Sequence, residues 1–140
     1  MNGKCITFLK KAGIIAMCLP VLLVLFFIIW ELFGMCVNLI SSEIQTNQLY
    51  SVIKKELPDA EIIHKYSQTG NTSGAGNHVD SLSVVILSAD LDKKQILDRL
   101  RGNDDLSSWY DCVYIDETDN GYYIVKVVTS APFWDNIAGH

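Results

Sequence analysis

The sequence lacks charged residues in one long stretch and lacks lysine and arginine in the residues directly after it. Charged residues make up 19% of the 140-residue chain, yet none lies among the 19 residues from Ala12 to Trp30. The next lysine or arginine after that stretch is Lys54. At ~1.5 Å rise per residue, a helix of this length covers about 28 Å, close to the hydrocarbon thickness of a bilayer. The absence of charge therefore predicts a membrane span.

Cysteine and metal-ligand patterns are also scarce. Three of the four cysteines lie in or beside the apolar stretch, so Cys112 is alone in the rest of the chain. A single cysteine cannot form a disulfide within its domain, which excludes a disulfide-stapled extracellular module. The three histidines show no H-x-x-x-H or H-E-x-x-H spacing, and the chain has no C-x-x-C pair. We therefore expect no metal site, no cofactor and no catalytic residue.

A cleaved signal peptide and a soluble core helix are the two alternatives to a retained span. The apolar region of a signal peptide usually stops after ~7 to 15 residues and ends in a small-residue cleavage site. Here apolar residues continue beyond Trp30 through Leu39 and Ile40, and no A-x-A motif follows. A core helix seldom needs so long an apolar run. We interpret the stretch as an uncleaved anchor that contacts the lipid bilayer through residues 12–30.

Basic residues beside the span predict its orientation. Three lysines precede it, and lysine-rich flanks stay in the cytosol. We expect Lys10 and Lys11 at the inner membrane interface, and Trp30 and Glu31 at the outer one. The chain should therefore be a single-pass protein of the cell membrane, with the N-terminus in the cytosol and the C-terminal part outside.

These observations divide the chain into three parts. Residues 1–11 are a short cytosolic N-terminus, residues 12–40 form the anchor and a juxtamembrane stem, and residues 41–140 form an extracytoplasmic domain. The last part carries eight lysines and arginines against fifteen aspartates and glutamates, a net charge of −7. A negative domain is repelled by nucleic acid, so we expect no nucleic-acid partner.

The domain has the sequence pattern of an α+β fold with the order αββαββ. Leu49, Val52, Ile53 and Leu57 recur at helical spacing, and Pro58 ends that helix. The helix either begins at a cap near Ser41 or Ser42 or continues from the anchor. We predict an N-terminal transmembrane helix, followed by a small domain with a four-stranded, mostly antiparallel sheet and two helices on one face.

Local signals place the remaining elements. Alternation in "EIIHKYS" puts Ile62 on the same strand face as His64 and Tyr66. The segment "SADLDKKQILDRLRGN" predicts a helix with a capping Ser or Asp at its start and Gly102 as its stop, and Asn120-Gly121 predicts a hairpin between the last two strands. In the third strand, we expect the aliphatic side to meet the helices.

Two segments are candidates for contact with a protein partner. The loop from Gln68 to Asn77 is rich in small polar residues, and it is either a long hairpin connection or a segment that becomes ordered on a partner. The tail after Pro132 has large apolar groups, which either fold back onto an open side of the sheet or contact a partner. The candidate partner-binding residues are Asn71, Thr72, Ser73, Phe133, Trp134 and Ile137.

The functional hypothesis is therefore binding rather than catalysis. We expect a protein partner at the membrane, such as another envelope protein or an incoming toxin intercepted by an immunity-type protein. One alternative is an accessory structural subunit of a membrane assembly, in which the anchor itself packs against other helices. Another is a small envelope hydrolase, which would require the fold to bring together a nucleophile and a base from His64, His78 and Cys112.

Overall fold

The order of helices and strands agrees with the αββαββ prediction. The computed structural model describes residues 3–71, 78–101, 103, 106 and 112–133, with side chains described from residue 15 onward. The elements are α1 (Gly3–Glu56), β1 (Glu61–Gly70), β2 (Asp80–Ser88), α2 (Lys93–Arg101), β3 (Val113–Glu117) and β4 (Tyr123–Ser130).

Helix α1 combines the predicted anchor and stem in one continuous helix of 54 residues. Ser42 does not cap a new helix, because it is buried within α1 and donates a hydrogen bond to the Leu39 carbonyl at 3.1 Å. The helix ends ahead of Pro58, as predicted. The chain divides into two compact units, Met1–Phe33 and Gly34–His140, and the second contains the sheet and α2.

Two antiparallel hairpins build the four-stranded sheet, whose spatial order is β1-β2-β4-β3. The hairpins β1-β2 and β3-β4 join through the antiparallel pairing of β2 with β4. One cross-strand row runs from Lys65 through Val85 and Val125 to Ile115. The row belongs to the face covered by the helices, since Val85, Val125 and Ile115 are part of the core cluster.

The hydrophobic core lies between the helices and this face of the sheet. Helix α2 contributes Ile96 and Leu100, both essentially inaccessible to solvent. Because residues of both helices belong to one cluster with one face of the sheet, the predicted arrangement of two helices on one face is confirmed. The other members of the cluster are Leu49, Val52, Ile53, Leu57, Ala60, Val85, Leu87, Leu106, Val113, Ile115, Tyr123, Val125 and Val127.

Strand β1 departs from the predicted alternation because it contains a bulge. The pairing register with β2 shifts between Ile62 and His64, so Ile63 is an extra residue without a partner in that register. Ile62 packs against the core, whereas His64 lies on the opposite face of the sheet. The prediction that Ile62 shares a face with His64 and Tyr66 is therefore wrong, because a bulge reverses the phase of the strand.

The predicted Asn-Gly pair lies in the turn between β3 and β4. The loop that contains it is longer than two residues. Thr118 N–H donates to the Tyr122 carbonyl at 2.8 Å, and Gly121 N–H donates to the Thr118 carbonyl at 2.9 Å. Gly121 has a φ of +77°, while no non-glycine residue of the described chain has a positive φ. This is the geometry of a three-residue hairpin loop, in which glycine takes the left-handed position.

Candidate functional site

The apolar half of α1 exposes its side chains throughout. Every residue from 15 to 30 is exposed, with fractions of 65% for Ile15 at one end and 48% for Trp30 at the other. The most apolar 18-residue stretch of this helix is not buried inside the protein. By length and composition the helix can cross a membrane, and this fits the predicted anchor.

The predicted interface residues lie at the two ends of this segment. Trp30 stacks on Phe26 one turn earlier, with 6.1 Å between the ring centroids and 26° between the planes. Glu31 is half-buried. Lys10 and Lys11 belong to α1, but their side chains fall outside the described ones. Their assignment to membrane interfaces stays a prediction.

The segment after β4 is attached to the part of α1 that belongs to the second unit. The Asn38 side chain donates to the Phe133 carbonyl at 2.7 Å, and the Phe133 N–H donates to Asn38 Oδ1 at 2.9 Å. A Cβ atom on Gly34 would overlap the Phe133 ring. Phe133 is half-buried by this contact with the helix. The absence of a side chain at Gly34 is therefore what lets the ring approach α1.

Further polar contacts join α1 to the sheet. Thr46 Oγ1 donates to Ser83 Oγ at 2.8 Å in a buried position, and Gln45 Nε2 donates to Thr129 Oγ1 at 3.1 Å. We call the four buried polar residues Asn38, Ser42, Gln45 and Thr46 the polar seam. Sequence reasoning missed it, although the spacing of these residues at 38, 42, 45 and 46 is that of one helix face.

The other candidate partner-binding residues are distributed unevenly. Asn71 directly follows β1 and is half-buried. The last residue of β1, Gly70, has a φ of 140°. Thr72 and Ser73 in the loop, and Trp134 and Ile137 in the tail, lie outside the described residues. Their role in binding stays a prediction.

The sheet face opposite the helices has an aromatic and aliphatic surface. One cross-strand row consists of Tyr66, Val84, Lys126 and Tyr114. The two tyrosines are 42% and 55% exposed, whereas Val84 between them is buried, so the valine is not accessible to a partner. We call the accessible residues Tyr66, Lys126 and Tyr114 the open face. Its tyrosines offer both apolar area and a hydroxyl group to a partner.

An ion pair adds charge to the open face. Lys126 Nζ lies 2.6 Å from an Asp116 carboxylate oxygen. The hydrogen bond from Lys126, and then its positive charge, lower the pKa of Asp116 below the ordinary value of 3.8. Both side chains are exposed, so the pair contributes little to stability. On the core side of β4, burial raises the pKa of Tyr123, and the charges of Glu117 and Asp92 add to the effect.

The structure does not bring together the residues that a hydrolase would need. His64 lies beside Tyr66 on edge strand β1, with 6.1 Å between ring centroids, whereas Cys112 precedes the opposite edge strand β3 and packs against the core. His78 Nε2 contacts an Asp80 carboxylate oxygen at 3.0 Å instead. Within the described residues, no cluster of three histidine, cysteine or acidic side chains could hold a metal ion.

A cavity of about 310 Å³ lies between the α1–β1 and β2–α2 connections. Leu57 and Leu91 are among its apolar lining residues, and Arg99, Asp59 and Asp90 also line it. All three charged side chains are exposed. The cavity therefore holds no buried charged group that would fix the orientation of a ligand.

Comparison of the chain with protein-family models, with curated proteins and with solved structures finds no match. Function is therefore inferred from the geometry described above.

Proposed function

We propose that the chain is a single-pass membrane protein that presents its α+β domain outside the cytoplasmic membrane, and that the domain acts by binding another protein. The proposal depends above all on the exposure of the apolar side chains from residue 15 to residue 30. In water, sixteen consecutive exposed residues of this kind would be costly, at roughly 25 cal/mol for each Å² of apolar surface. A bilayer removes that cost.

Charge supports the proposed orientation. The three lysines before the span are within the distance at which basic residues influence insertion, whereas Lys54 lies 24 residues after Trp30. The domain that follows is strongly negative, and acidic residues do not hold a segment in the cytosol. The lysine end is therefore the one expected to stay inside.

Protease protection in spheroplasts of an expression host tests the orientation. We expect external protease to digest a C-terminal tag and the domain, while a tag at Met1 stays protected until the membrane is opened. Replacing Lys10 and Lys11 by Gln should produce a fraction of inverted chains, because the charge bias is reduced. The matched control replaces Lys54 and Lys55 by Gln, removing the same charge after the span, and should leave the orientation unchanged. A domain that resists protease in intact spheroplasts would contradict the proposal.

Binding is favoured over catalysis by the composition of the described surfaces. Tyrosine is enriched at protein interfaces, and the open face has two exposed tyrosines, Tyr66 and Tyr114. The candidate nucleophile Cys112 packs against the core next to one edge strand, whereas the candidate base His64 lies on the strand at the opposite edge.

Affinity capture after crosslinking in the native membrane tests the binding proposal. The 68–77 loop, the 132–137 tail and the Tyr66→Ala/Tyr114→Ala pair are altered separately. We expect at least one of these changes to reduce the capture of a protein partner. A captured partner that none of these changes affects would place the binding surface elsewhere.

A second candidate function is that of a structural subunit in a membrane assembly. It is favoured by one observation: Leu39, Ile40 and Ile44 are more than half exposed on α1 after the span. A simple tether does not need apolar side chains there.

A further inference from the structure

Strand β1 lies at one edge of the sheet, and none of the described residues pairs with its outer side. The strand is ten residues long, whereas β3 at the opposite edge has five. After the bulge at Ile63, its register with β2 continues without interruption from His64 to Gly70. A long, regular edge is where a further strand can be added to a sheet.

Hydrogen bonds show which backbone groups of β1 point outward. In an antiparallel sheet, successive residues of a strand direct their N–H and C=O groups to opposite sides. Ala131 N–H donates to the Val79 carbonyl at 2.8 Å, one step beyond the β2–β4 ladder, so the odd-numbered residues of β2 bond to β4. The even-numbered residues of β2 therefore bond to β1, where their partners include Tyr66 and Gln68.

The β1 residues between those partners direct their backbone groups away from the sheet. These residues are Lys65, Ser67 and Thr69. The other hairpin gives the same alternation: Thr118 N–H donates to the Tyr122 carbonyl, so the even-numbered residues of β4 bond to β3 and the odd-numbered ones to β2. Three N–H and three C=O groups at alternate residues thus lie along the outer edge of β1.

The usual protection of a strand edge is missing from this part of β1. Strand edges are commonly guarded by lysine, proline or a bulge. Residues 64–70 contain no proline, and the bulge lies ahead of them. Their one lysine, Lys65, is directed to α1, where Nζ donates to Asn47 Oδ1 at 2.7 Å and lies 4.7 Å from the centre of the Tyr50 ring. The ammonium group is therefore held by the helix and does not guard the edge.

We propose that the outer edge of β1 binds an extended segment of a partner protein, which adds a fifth strand through backbone hydrogen bonds to Lys65, Ser67 and Thr69. The inference rests on the binding function proposed above, for which it names the kind of partner. An extended polypeptide is the occupant that fits, because another strand presents acceptors and donors with the same two-residue repeat.

The side chains of β1 indicate what the added strand carries. Every second residue of that strand lies on the side of Tyr66, which is exposed on the open face, and an apolar side chain there gains a cross-strand contact with the ring. The residues between them lie on the side of Ser67 and Thr69, where small polar side chains fit. We therefore expect a segment that alternates apolar and small polar residues and contains no proline.

Amide hydrogen exchange of the full chain in detergent tests the proposal with a defined probe. The probe is a peptide of alternating valine and threonine, with a lysine at each end for solubility. Without the probe, the outward amides of Lys65, Ser67 and Thr69 should exchange much faster than those of Tyr66 and Gln68, which are bonded to β2. Millimolar probe should slow the outward amides several-fold and leave the inward ones unchanged.

The matched control is the same peptide with its central valine replaced by proline. It has the same charge but lacks a backbone donor, so we expect no slowing. Three results would overturn the proposal. The first is that the outward amides are already protected in the chain alone, because this chain or a second copy would then cover the edge. The others are the absence of selective slowing by the probe and equal slowing by the proline peptide.

Substitution of Ser67 gives a second measurement. Ser67→Pro removes an outward N–H but no hydrogen bond to β2, and it should abolish the effect of the probe. Ser67→Ala keeps that N–H and should preserve the effect. Slowing that persists in Ser67→Pro would contradict the proposal. The two peptides decide the matter in the natural chain if Ser67→Pro prevents folding.

The outcome can be separated from that of the binding function itself. In the crosslinking experiment described above, we expect Ser67→Pro to reduce the capture of a partner and Ser67→Ala to leave it unchanged. A partner captured equally by both variants would keep the binding function and reject β1 as its site. Selective protection by the probe without any captured partner would reject the binding function and keep the edge as a strand acceptor.

Discussion

At the residue scale, the contact between Gly34 and Phe133 has consequences for stability. The ring occupies the space where a Cβ atom would lie, and the Phe133 backbone is held by Asn38 one turn further along α1. The two helix residues stabilise this contact in different ways. Asn38 forms hydrogen bonds with the N–H and carbonyl of Phe133, whereas Gly34 leaves space for the Phe133 ring. Neither contribution could be read from the sequence, because Phe133 lies about a hundred positions further along the chain.

Gly34→Ala should lower the free energy of unfolding, although alanine is the better helix former. Relief of the glycine penalty is worth about 1 kcal/mol, whereas overpacking against the ring costs about 1–3 kcal/mol. Thermal unfolding of the full chain in detergent, followed by near-ultraviolet circular dichroism, measures the difference. In a Phe133→Ala background the clash is absent, so Gly34→Ala should be neutral or stabilising there. Destabilisation of equal size in both backgrounds would show that the ring is not the cause.

At the element scale, α2 shows how a local signal decides where a helix begins. Gln95 N–H donates to Asp92 Oδ1 at 2.8 Å, and the Asp92 N–H donates to Gln95 Oε1 at 3.0 Å. This reciprocal pair is a capping box, and it shows that, of the serine and aspartate caps that the sequence allowed, Asp92 is the one used. Ile96 then lies on the buried side, so the cap also sets which residues of α2 reach the core.

Asp92→Ala should destabilise the domain by about 0.5–2 kcal/mol, because the N–H of Gln95 loses its acceptor. Asp92→Asn is the matched control: it keeps an acceptor oxygen at the same position and should cost little. Amide hydrogen exchange of Ile96 and Leu97 measures the effect locally. If asparagine were as harmful as alanine, the negative charge near the helix start would be the important property rather than the hydrogen bond.

Strand β1 and helix α1 each differ in one respect from what the sequence predicts. Alternation in the sequence predicts that one set of β1 residues shares a face along the whole strand, but the bulge after Ile62 moves the later residues to the other face. The bulge has no signature in "EIIHKYS", since it depends on the pairing with β2. Likewise, Ser41 and Ser42 are of a residue type that often begins a helix. Ser42 is instead buried inside an uninterrupted helix, because the sheet packs against it.

At the scale of the whole molecule, the two units of the chain differ in what keeps them ordered. The unit from Gly34 to His140 contains the entire hydrophobic core cluster. The unit from Met1 to Phe33 exposes its described side chains almost without exception. The Gly34–His140 unit therefore has the interior that independent folding requires, and the described part of the Met1–Phe33 unit has none.

A fragment of residues 34–140 should fold cooperatively without a membrane, while a fragment of residues 47–140 should be much less stable. The shorter fragment keeps Leu49, Val52, Ile53 and Leu57 but loses the polar seam. Four hydrogen bonds to Phe133, Thr129 and Ser83 disappear, each worth roughly 0.5–1.5 kcal/mol. Urea denaturation of both fragments compares them. Equal midpoints would mean that the seam contributes nothing to stability.

The type and order of the elements follow from the amino-acid sequence alone, because they depend on local properties. Hydrophobic spacing specified α1 around Leu49 and Ile53, an aspartate cap specified α2, and Asn120-Gly121 specified the final hairpin. The charge-free run from Ala12 to Trp30 likewise predicted a helix able to span a membrane.

The order β1-β2-β4-β3, the bulge in β1 and the burial of the polar seam of α1 become visible only in the folded chain. Each depends on contacts between residues far apart in the chain, such as Thr46 with Ser83. A helix sequence shows which residues share a face, but the partner that covers the face decides whether it is inside or outside. Here the sheet covers the polar seam, and Leu39, Ile40 and Ile44 are left exposed.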